Sequence, residues 1–477
     1  MYALPVGAGA EEAQEGARAM TKKMQLWRFN AWSELHGTPQ WFLGYLARIL
    51  SVEVDLGTAE GERFSVVWKH EGKVWGSLMR GNRVLSGLTP HVMRLAAHYG
   101  LPIELRDARQ RPADRIPWWS VSACWRPYQD EVHAAVMAEG CGVIDAPPRS
   151  GKTLMIARVI DTLAHPAVLI APSVQIVRQT YEVFCKHFGE HSVARLDGDA
   201  RPAQKDVSKS IVIATAASAV RQPKEWWDTR ELLIIDEFHH AAAETYHRIA
   251  ALAENAYYRL GFTGTHFRTG SDALAMEAIC SRVVHRIDPR SLMPTYLAPA
   301  HVFFAPANAP GVSGKWHEAY QRGIVDSDQR NRLVTTIANT MSENGLPTIV
   351  LTRRRAHADY LGERIPNSVV VKGGENALTS RAVRDFLDGR YEVLVGTSVI
   401  GEGVDVPRAS VLVFASGGAD GVSMAQSYYR PLTAHPGKRC GRIYDFSDRH
   451  HRTLRRHSDR RAEMARSIFG ADCVHTP

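Results

Sequence analysis

The chain has 477 residues, of which 45% are apolar and 23% are charged, a balance typical of globular proteins. Its formal net charge is +8, which suits a polyanionic partner, and no apolar run approaches the roughly 20 residues of a membrane span, so no membrane partner is expected. The six scattered cysteines form no Cys-x-x-Cys pair, which disfavours a disulfide framework or zinc site and favours a cytoplasmic or nucleoid-associated location.

The N-terminal quarter predicts a leader followed by a small domain. Residues 1–24 contain many small residues and no apolar core, which indicates a disordered leader rather than a secretory signal. Residues 25–117 predict an α+β domain that ends in a Pro-rich, charged linker. Its predicted elements are two strands joined by a turn, a helix and a last strand (Arg63–His70, Lys73–Arg80, Thr89–Gly100, Pro102–Arg106).

The remainder alternates short apolar runs with helical stretches, which favours parallel sheets with crossover helices. Residues 118–289 contain five strand candidates (Val143–Ile144, Ala167–Ile170, Ile211–Ala214, Leu232–Ile235, Tyr258–Phe262). Residues 290–477 contain five more (Thr348–Leu351, Ser368–Val371, Val393–Val395, Val411–Phe414, Ile443–Phe446). The sequence therefore predicts two tandem α/β domains after the small α+β domain.

A phosphate-binding loop is indicated between the first strand of the second block and the helix that follows it. The segment Ala146–Thr153 ends in Gly-Lys-Thr, with Ala146 where a first Gly is usual. Backbone N–H groups of such a loop and its helix cradle phosphates, and we expect these residues to bind ATP (Pro148, Arg149, Ser150, Gly151, Lys152, Thr153). Lys152 would contact the β- and γ-phosphates and Thr153 would hold Mg²⁺.

Two acids follow an apolar strand about 85 residues later. Asp236 would bind Mg²⁺ and Glu237 would polarise the attacking water. A pair of acids after a strand is otherwise usually a solvated turn, but its position after a phosphate loop favours the catalytic interpretation.

Other short motifs lie in a fixed order around these two. They are Arg126-Pro-Tyr-Gln129, Ala171-Pro172-Ser173 with Gln179, Thr215, Asp236–His239, Thr263-Gly-Thr265 with Arg268, Leu351-Thr-Arg353, Val395–Pro407 and Gln426–Thr433. The ordered series resembles that of superfamily 2 helicases of the DExH type, closest to the XPB-like and UvsW-like DNA helicases. It covers residues 126–446, most of the chain.

The resemblance implies two RecA-like domains that bind ATP and Mg²⁺ and a groove for one nucleic-acid strand. It assigns adenine recognition to Arg126 and Gln129, further ATP contacts to Gly403 and Asp405, and catalysis to Gln426 and Arg430. It implies nucleic-acid contacts through strand-end residues (Pro172, Ser173, Gln179, Thr215, Arg353, Gly396, Thr397). Four further residues would couple ATP to movement (His239, Thr263, Thr265, Arg268).

The last motif departs from the family pattern, which has two arginines. Arg430 is present, but Tyr429 replaces a Gly and Thr433 stands where the second arginine belongs. Either Arg430 acts alone, or Arg439 or Arg442 substitutes, or hydrolysis is slow.

Two outer segments allow a structural or a binding interpretation. The stretch from Gly87 to Arg111 is similar to the small front domain of UvsW-like helicases, which implies contact with duplex or branched DNA; the alternative is a packing module. Residues 447–466 contain seven Arg against three acids, either as an amphipathic helix that buries Leu454, Met464, Ile468 and Phe469 or as a phosphate-contacting surface. Because every ATP motif lies downstream, we expect deletion before Trp118 to spare basal ATPase.

The leading functional interpretation is an ATP-dependent helicase or translocase that remodels duplex or branched DNA, with DNA favoured over RNA and no protein partner indicated. A DExH RNA helicase and an ATP-gated nucleic-acid-binding or loading module with weak motor activity remain alternatives. The sequence contains no evident nuclease-like cluster, which disfavours a restriction motor that carries its own nuclease.

Overall fold

The computed structural model describes residues 23–54, 67–70, 73–113, 125–264, 271–309, 312–372, 376–397 and 406–476. They form two compact units that divide near residue 286. Within the described residues, every helix is too short or too polar to cross a bilayer.

In its described residues, the front block has two small sheets and two α-helices. Its elements are β1 Met24–Arg28, β2 Trp32–His36, α1 Gln40–Ile49, β3 Ser51–Val54, β4 Val67–His70, β5 Lys73–Ser77, β6 Arg83–Leu85, α2 Thr89–His98 and β7 Ile103–Asp107. One sheet has the order β6-β2-β1-β7 and the other β3-β5-β4. The predicted pairing of the two hairpin strands, the helix and the last strand are confirmed, whereas residues 63–66 and the turn at 71–72 lie outside the described residues.

The first α/β part follows with a seven-stranded sheet. Its elements are α3 Pro127–Glu139, β8 Cys141–Asp145, α4 Lys152–Leu163, β9 Ala167–Ala171, α5 Val174–Phe188, β10 Val193–Leu196, β11 Ile211–Thr215, α6 Ala216–Ala219, α7 Lys224–Trp227, β12 Leu232–Ile235, α8 Glu244–Leu252, β13 Tyr258–Thr263, α9 Ser271–Cys280 and β14 Val283–Arg286. The order is β10-β11-β9-β12-β13-β8-β14, and all the pairs are parallel. Strands β9, β12 and β13 are buried throughout, as expected for a parallel sheet covered on both faces.

The front block packs directly on helix α9 of this α/β part. Gly87 lies so close to α9 that a Cβ atom there would overlap the backbone carbonyl oxygens of Glu277 and Ala278. The His91 Nε2 of α2 is hydrogen-bonded to the Glu277 Oε2, and Leu88 belongs to the same buried apolar cluster as residues of α9. The front block therefore acts as a packing module that covers helix α9. Deletion of the residues before Trp118 would expose the apolar cluster that the block shares with α9. Basal ATPase is consequently not expected to survive the deletion.

The second unit repeats the architecture. Its elements are β15 Ala300–Ala307, α10 Trp316–Tyr320, α11 Asp328–Glu343, β16 Thr348–Leu351, α12 Arg355–Gly362, β17 Ser368–Val371, α13 Asn376–Leu387, β18 Val393–Gly396, β19 Val411–Phe414, α14 Gly421–Tyr428, β20 Gly441–Asp448, α15 Arg452–Phe469 and β21 Val474–His475. The sheet order is β17-β18-β16-β19-β20-β15-β21, again parallel. The fold class is confirmed: two seven-stranded α/β sheets of the RecA-like type follow a small α+β part along the chain.

The C-terminal helix α15 is amphipathic, as one of the two interpretations predicted. Leu454, Ile468 and Phe469 are buried and Met464 is half-buried. Of the seven arginines in residues 447–466, Arg461 alone is buried and the other six are exposed. The exposed arginines leave the phosphate-contacting interpretation open.

Candidate active site

The site residues of the first unit lie at one edge of its sheet. The carboxyl ends of parallel strands share an edge, and ligands commonly bind there. Strands β8, β13 and β12 are neighbours, and they lead into the phosphate loop, Thr263 and Asp236. The next two strands, β9 and β11, lead into Ser173 and Thr215. The sheet order therefore separates the expected ATP residues from the expected nucleic-acid residues of this unit.

The phosphate loop lies between strand β8 and helix α4, in the strand–loop–helix context that its sequence predicted. Gly151 lies in the left-handed region (φ 85°, ψ 37°) immediately before Lys152 begins α4, and Arg149 also has a positive φ of 70°. Ala146 does not have a positive φ, so this position does not require glycine. Its N–H donates to the Thr263 carbonyl oxygen at 2.8 Å, which ties the loop to β13.

Lys152 and the two acids converge at this edge. The Lys152 Nζ lies 3.5 Å from the Glu237 Oε1, and both side chains are largely buried. The Glu237 N–H donates to the Asp236 Oδ1 at 2.9 Å. Burial raises the pKa of Asp236 and the adjacent Glu237 carboxylate adds to the rise, whereas Lys152 opposes it. The arrangement brings one cation and two carboxylates within reach of the loop.

These residues fit a divalent cation. The Asp236 side chain is buried, and burial disfavours its anionic form, so a bound cation would stabilise the carboxylate. A carboxylate and a hydroxyl are the oxygen ligands that Mg²⁺ takes in phosphoryl-transfer sites, and Asp236 and Thr153 would hold it. Bound Mg²⁺ would neutralise charge on the β- and γ-phosphate oxygens.

His239 links the second acid to strand β13. Its Nδ1 lies 3.4 Å from the Glu237 Oε2 and 3.4 Å from the Thr263 Oγ1. Glu237 itself has a left-handed backbone (φ 47°, ψ 53°), which turns the chain so that Phe238 packs over Gly261. Two of the four expected coupling residues, His239 and Thr263, are thus in contact, while Thr265 and Arg268 lie outside the described residues.

The expected adenine-reading segment lies beside the phosphate loop. Gln129 is buried in the first turn of α3, and its Oε1 accepts from the Arg126 N–H at 3.0 Å. Its Nε2 would lie 3.2 Å from a Cβ atom at Gly151. Gln129 therefore touches the loop, and Arg126 uses its Nη1 to donate to the Tyr128 hydroxyl at 2.9 Å.

The expected nucleic-acid residues of the first unit also have local structural roles. The Ser173 Oγ accepts from the Ile176 N–H at 3.3 Å and caps helix α5. The Thr215 Oγ1 donates to the Ser218 Oγ at 3.1 Å. Pro172 is half-buried and Gln179 is exposed on α5.

The corresponding residues of the second unit lie at the carboxyl ends of neighbouring strands β16 and β18. Thr352 donates its N–H to the Gly396 carbonyl oxygen at 2.8 Å, which joins the two strand ends. Arg353 is exposed beside them, and Thr397 is buried. Gly403 and Asp405 lie outside the described residues.

The last motif occupies the end of α14 and a 3₁₀ turn, Arg430–Leu432. Gln426 is half-buried, Arg430 is 5% exposed and Thr433 follows the turn.

The sequence did not single out Lys438, whose Nζ donates to three backbone carbonyl oxygens. The acceptors are Ala409 at 2.6 Å, Pro407 at 2.7 Å and Thr433 at 2.9 Å.

Lys438 therefore ties the chain after the Gly403 motif to the chain after Arg430. It lies in a loop whose sequence, His-Pro-Gly-Lys-Arg, predicts only a turn. Neither of the proposed substitutes for a second arginine is as buried as Arg430, since Arg439 is exposed and Arg442 is half-buried. A buried network around Asp445 and Arg461 was also not foreseen, because nothing in the sequence distinguishes Arg461 from its neighbouring arginines.

Comparison with known proteins gives two family matches. Residues 123–268 match the family described as "Type III restriction enzyme, res subunit", and residues 329–435 match the "Helicase conserved C-terminal domain". The first match covers the phosphate loop and both acids, and the second covers the segments around Arg353 and Arg430.

Individual relatives are distant. The chain is 23% identical over 334 residues to the DNA 3'-5' translocase XPB2 of Sulfurisphaera tokodaii, a match that covers 61% of this chain and 74% of that one. It is 20% identical over 325 residues to the ATP-dependent DNA helicase uvsW of Enterobacteria phage T4, covering 64% and 65%. About a quarter to a third of each relative thus lies outside the match.

A solved structure supports the fold. S. cerevisiae Dbp5 bound to RNA and ADP BeF3 superposes with a TM-score of 0.53 at 16% identity, over 73% of this chain and 88% of that chain. The two family matches together span just over half of the chain and include the phosphate loop, the acid pair and the C-terminal motifs. The chain therefore contains a restriction-subunit-type domain and a helicase C-terminal domain in tandem, and in this it resembles the superfamily 2 helicases.

Proposed function

We propose that the chain is an ATP-dependent DNA helicase or translocase that acts on duplex or branched DNA. The observation that carries the proposal is the convergence of Lys152, Asp236 and Glu237 at the phosphate loop. Two relatives are named as a DNA translocase and a DNA helicase, which supports DNA as the partner.

In this proposal Lys152, Glu237 and Arg430 carry out the ATP chemistry. Lys152 leaves its contact with Glu237 and binds the β- and γ-phosphates, and Glu237 is then free to orient and polarise the attacking water. Arg430 stabilises the negative charge that develops on the γ-phosphoryl oxygens. Arg126 and Gln129 hold the adenine, and Gly403 and Asp405 complete the nucleotide contacts.

Residues at and just after the carboxyl ends of strands hold the nucleic-acid strand. Hydroxyls, backbone N–H groups and Arg353 contact phosphates, which positions the strand without reading its sequence. The residues concerned are those expected from the motifs (Pro172, Ser173, Gln179, Thr215, Arg353, Gly396, Thr397). His239 and Thr263 contact each other beside Glu237, which supports their assignment to coupling, with Thr265 and Arg268 beside them in sequence.

The test is ATP turnover of Lys152→Ala with saturating single-stranded, duplex and forked DNA and with RNA. We expect turnover to fall at least about 100-fold, since a cation on the transferred phosphoryl group is removed. DNA affinity should stay close to that of the parent. Lys186→Ala, an exposed lysine on α5, is the matched control and should keep full activity. Normal turnover by Lys152→Ala would refute the phosphate-loop assignment.

The same assay separates the alternatives. Stimulation by RNA and not by DNA would indicate an RNA helicase. The departure at Thr433 favours one other candidate, an ATP-gated loading module with weak motor activity. That candidate predicts ATP-dependent binding with slow turnover and no strand displacement, so measurable unwinding of a forked duplex would exclude it.

A further inference from the structure

The second unit contains a fully buried polar network between helix α15 and strand β20. Arg461 donates from its Nε to the Asp445 Oδ2 at 2.7 Å and from its Nη2 to the Asp445 Oδ1 at 3.0 Å. The Tyr428 hydroxyl donates to the same carboxylate. Burial and the Asp445 carboxylate raise the pKa of Tyr428 well above its usual value, so its hydroxyl remains a donor.

A second buried pair extends the network. Arg330 of α11 donates from its Nε to the Asp448 Oδ1 at 2.9 Å, and the Arg461 Nη2 lies 3.6 Å from the Asp448 Oδ2. The four side chains balance two positive and two negative charges. A buried ion network is rarely more stabilising than apolar packing, and it is costly to break because it leaves a charge unpaired. We therefore expect the network to fix the relative positions of α11, β20 and α15 rather than to add to the free energy of unfolding.

The network holds the loop that follows strand β19. Three carbonyl oxygens of this loop accept hydrogen bonds from buried side chains: Ala415 from Arg330 at 2.9 Å, Ser416 from Tyr320 at 2.8 Å and Gly418 from Arg461 at 2.6 Å. The loop backbone includes positive φ values of 60° at Gly417 and 90° at Gly418. Its conformation thus depends on Arg330 and Arg461.

One end of this loop adjoins the expected nucleic-acid contact of the second unit. The Ser416 Oγ donates to the Leu351 carbonyl oxygen at 3.1 Å, two residues before Arg353. A Cβ atom at Gly418 would lie 3.8 Å from the Arg353 Nη1. A displacement of Arg353 would therefore act on the loop.

The other end leads into the helix that precedes the expected catalytic arginine, Arg430. The loop continues into α14, which begins at Gly421 and ends at Tyr428. Tyr428 belongs to the network and lies two residues before Arg430. The same buried carboxylate, Asp445, is thus connected to the loop beside Arg353 through Arg461 and to the start of the Arg430 turn through Tyr428.

We propose that Tyr428, Asp445 and Arg461 form a coupling element that links nucleic-acid contact at Arg353 to the position of Arg430. They act as positioning residues, through the loop at residues 415–418 and the C-terminal end of α14. The inference rests on the proposed function, because it assumes that Arg353 binds nucleic acid and that Arg430 faces ATP. It assigns the C-terminal helix a role in coupling beyond its packing.

The experiment measures how strongly nucleotide changes DNA affinity. The dissociation constant of a fluorescent single-stranded oligonucleotide is measured with ADP and with the slowly hydrolysed analogue ATPγS, on the full chain. The ratio of the two constants is the coupling factor, and it does not depend on the fraction of folded protein. By linkage the same factor describes how DNA changes nucleotide affinity.

Tyr428→Phe removes one hydroxyl and keeps the ring. We expect the ratio of its two dissociation constants to change by at least about fivefold, toward a value of one. A change of this size is in the range by which residues of a connected network modulate coupling. DNA affinity without nucleotide should stay within about twofold of the parent, since no contact to DNA is removed. Tyr444→Phe is the matched control, because Tyr444 precedes Asp445 on β20 and its hydroxyl donates only weakly, to the Met341 Sδ at 3.6 Å.

An unchanged coupling factor in Tyr428→Phe, or an equal change in Tyr444→Phe, would overturn the inference. Arg461→Lys keeps the charge but cannot reproduce the paired donors, so we expect its coupling factor to move toward one as well. Arg460→Lys, at the exposed neighbour, should leave the coupling factor unchanged. A parent that hydrolyses ATP with DNA yet binds DNA equally in both nucleotide states would also overturn it and leave the proposed function standing. A parent without any nucleic-acid-stimulated turnover would contradict the proposed function itself.

Discussion

Arg430 is the one arginine of the last motif, and Thr433 offers only a hydroxyl where the family pattern has a second. We expect Arg430→Ala to lower DNA-stimulated turnover by about 1000-fold, since an arginine finger contributes on this order to phosphoryl transfer. The measurement is steady-state ATPase with saturating DNA, and Arg439→Ala, at an exposed arginine, is the control. If Arg430→Ala keeps most of its activity, another cation nearby is the finger.

Thr433→Arg tests the same departure in the opposite direction. We expect a higher kcat, because a second cation would reach the charge that develops in the transition state. Pro431 and the hydrogen bond from Lys438 to the Thr433 carbonyl oxygen fix the local backbone, so the new side chain starts from a defined position. A kcat equal to or below that of the parent would show that this position does not face the nucleotide.

For individual residues, the sequence predicted functional roles wherever the residues of a site are adjacent in the chain. The phosphate loop and the pair Asp236-Glu237 are continuous motifs, so their residue types and spacing predict their chemistry directly. Lys438 and Arg461 could not be predicted, because their partners are distant in sequence and become neighbours only when the sheet of the second unit forms. An arginine in a run of arginines gives no sign of which one is buried.

At the scale of elements, the backbone of the front block at Gly87 lies directly against the backbone of helix α9. Gly87→Ala should lower the free energy of unfolding by about 2–3 kcal/mol or more, since its Cβ would overlap backbone oxygens that cannot rotate away. Gly44→Ala is the matched control: nothing lies within 4 Å of its Cβ position, and alanine favours helix α1 by about 1 kcal/mol. Urea unfolding measures both, and equal stability of the two variants would contradict the packing argument.

Helix α12 contains a buried histidine, His357, that packs against helix α11, and its burial predicts a pH dependence of stability. Burial, together with Arg330, lowers the pKa of His357 to about 3, and its Nε2 lies 2.8 Å from the Asn331 Oδ1. The unfolded chain takes up this proton below about pH 6.5, whereas the folded chain does not until about pH 3. The stabilisation is therefore complete above about pH 6.5 and is lost as the pH falls toward 3.

The test compares the pH dependence of unfolding in His357→Gln and the parent. We expect the parent to lose up to about 1.4 kcal/mol more per pH unit than the variant between about pH 6 and pH 4. His317→Gln, at an exposed histidine of α10, should follow the parent. Parallel curves for His357→Gln and the parent would show that this histidine does not titrate in that range.

Element prediction succeeded for strands with continuous apolar runs, including the edge strand β17, and failed for the other three edge strands of the two large sheets. All ten strands predicted in the two large sheets are present, since continuous apolar runs bounded by turns are typical of covered parallel strands. Strands β10, β14 and β21 lie at sheet edges and were not predicted, and β15 contains Pro306, which argues against a strand in sequence. Five elements of the front block (β1, β2, α1, β3 and β6) were not predicted, and β1 and β2 are only five residues long without a continuous apolar run.

For the whole molecule, the net charge of +8 and contacts to phosphates predict a steep salt dependence. We expect log Kobs for duplex DNA to fall linearly with log salt, with a slope near −0.9 for each phosphate contacted, and to change little with base sequence. Fluorescence anisotropy at several salt concentrations measures this. An affinity that is insensitive to salt, or that depends strongly on sequence, would contradict a groove that holds only the backbone.

The shared core of the front block and α9 also sets an order on how the protein is made. Synthesis delivers the chain from its N-terminus, and domains generally fold as they emerge. Helix α2 and the turn at Gly87 leave the ribosome long before α9, which covers them. The apolar faces of these segments therefore stay uncovered until α9 is synthesised, after nearly the whole first α/β part. During that time they are exposed to chaperones and to other nascent chains.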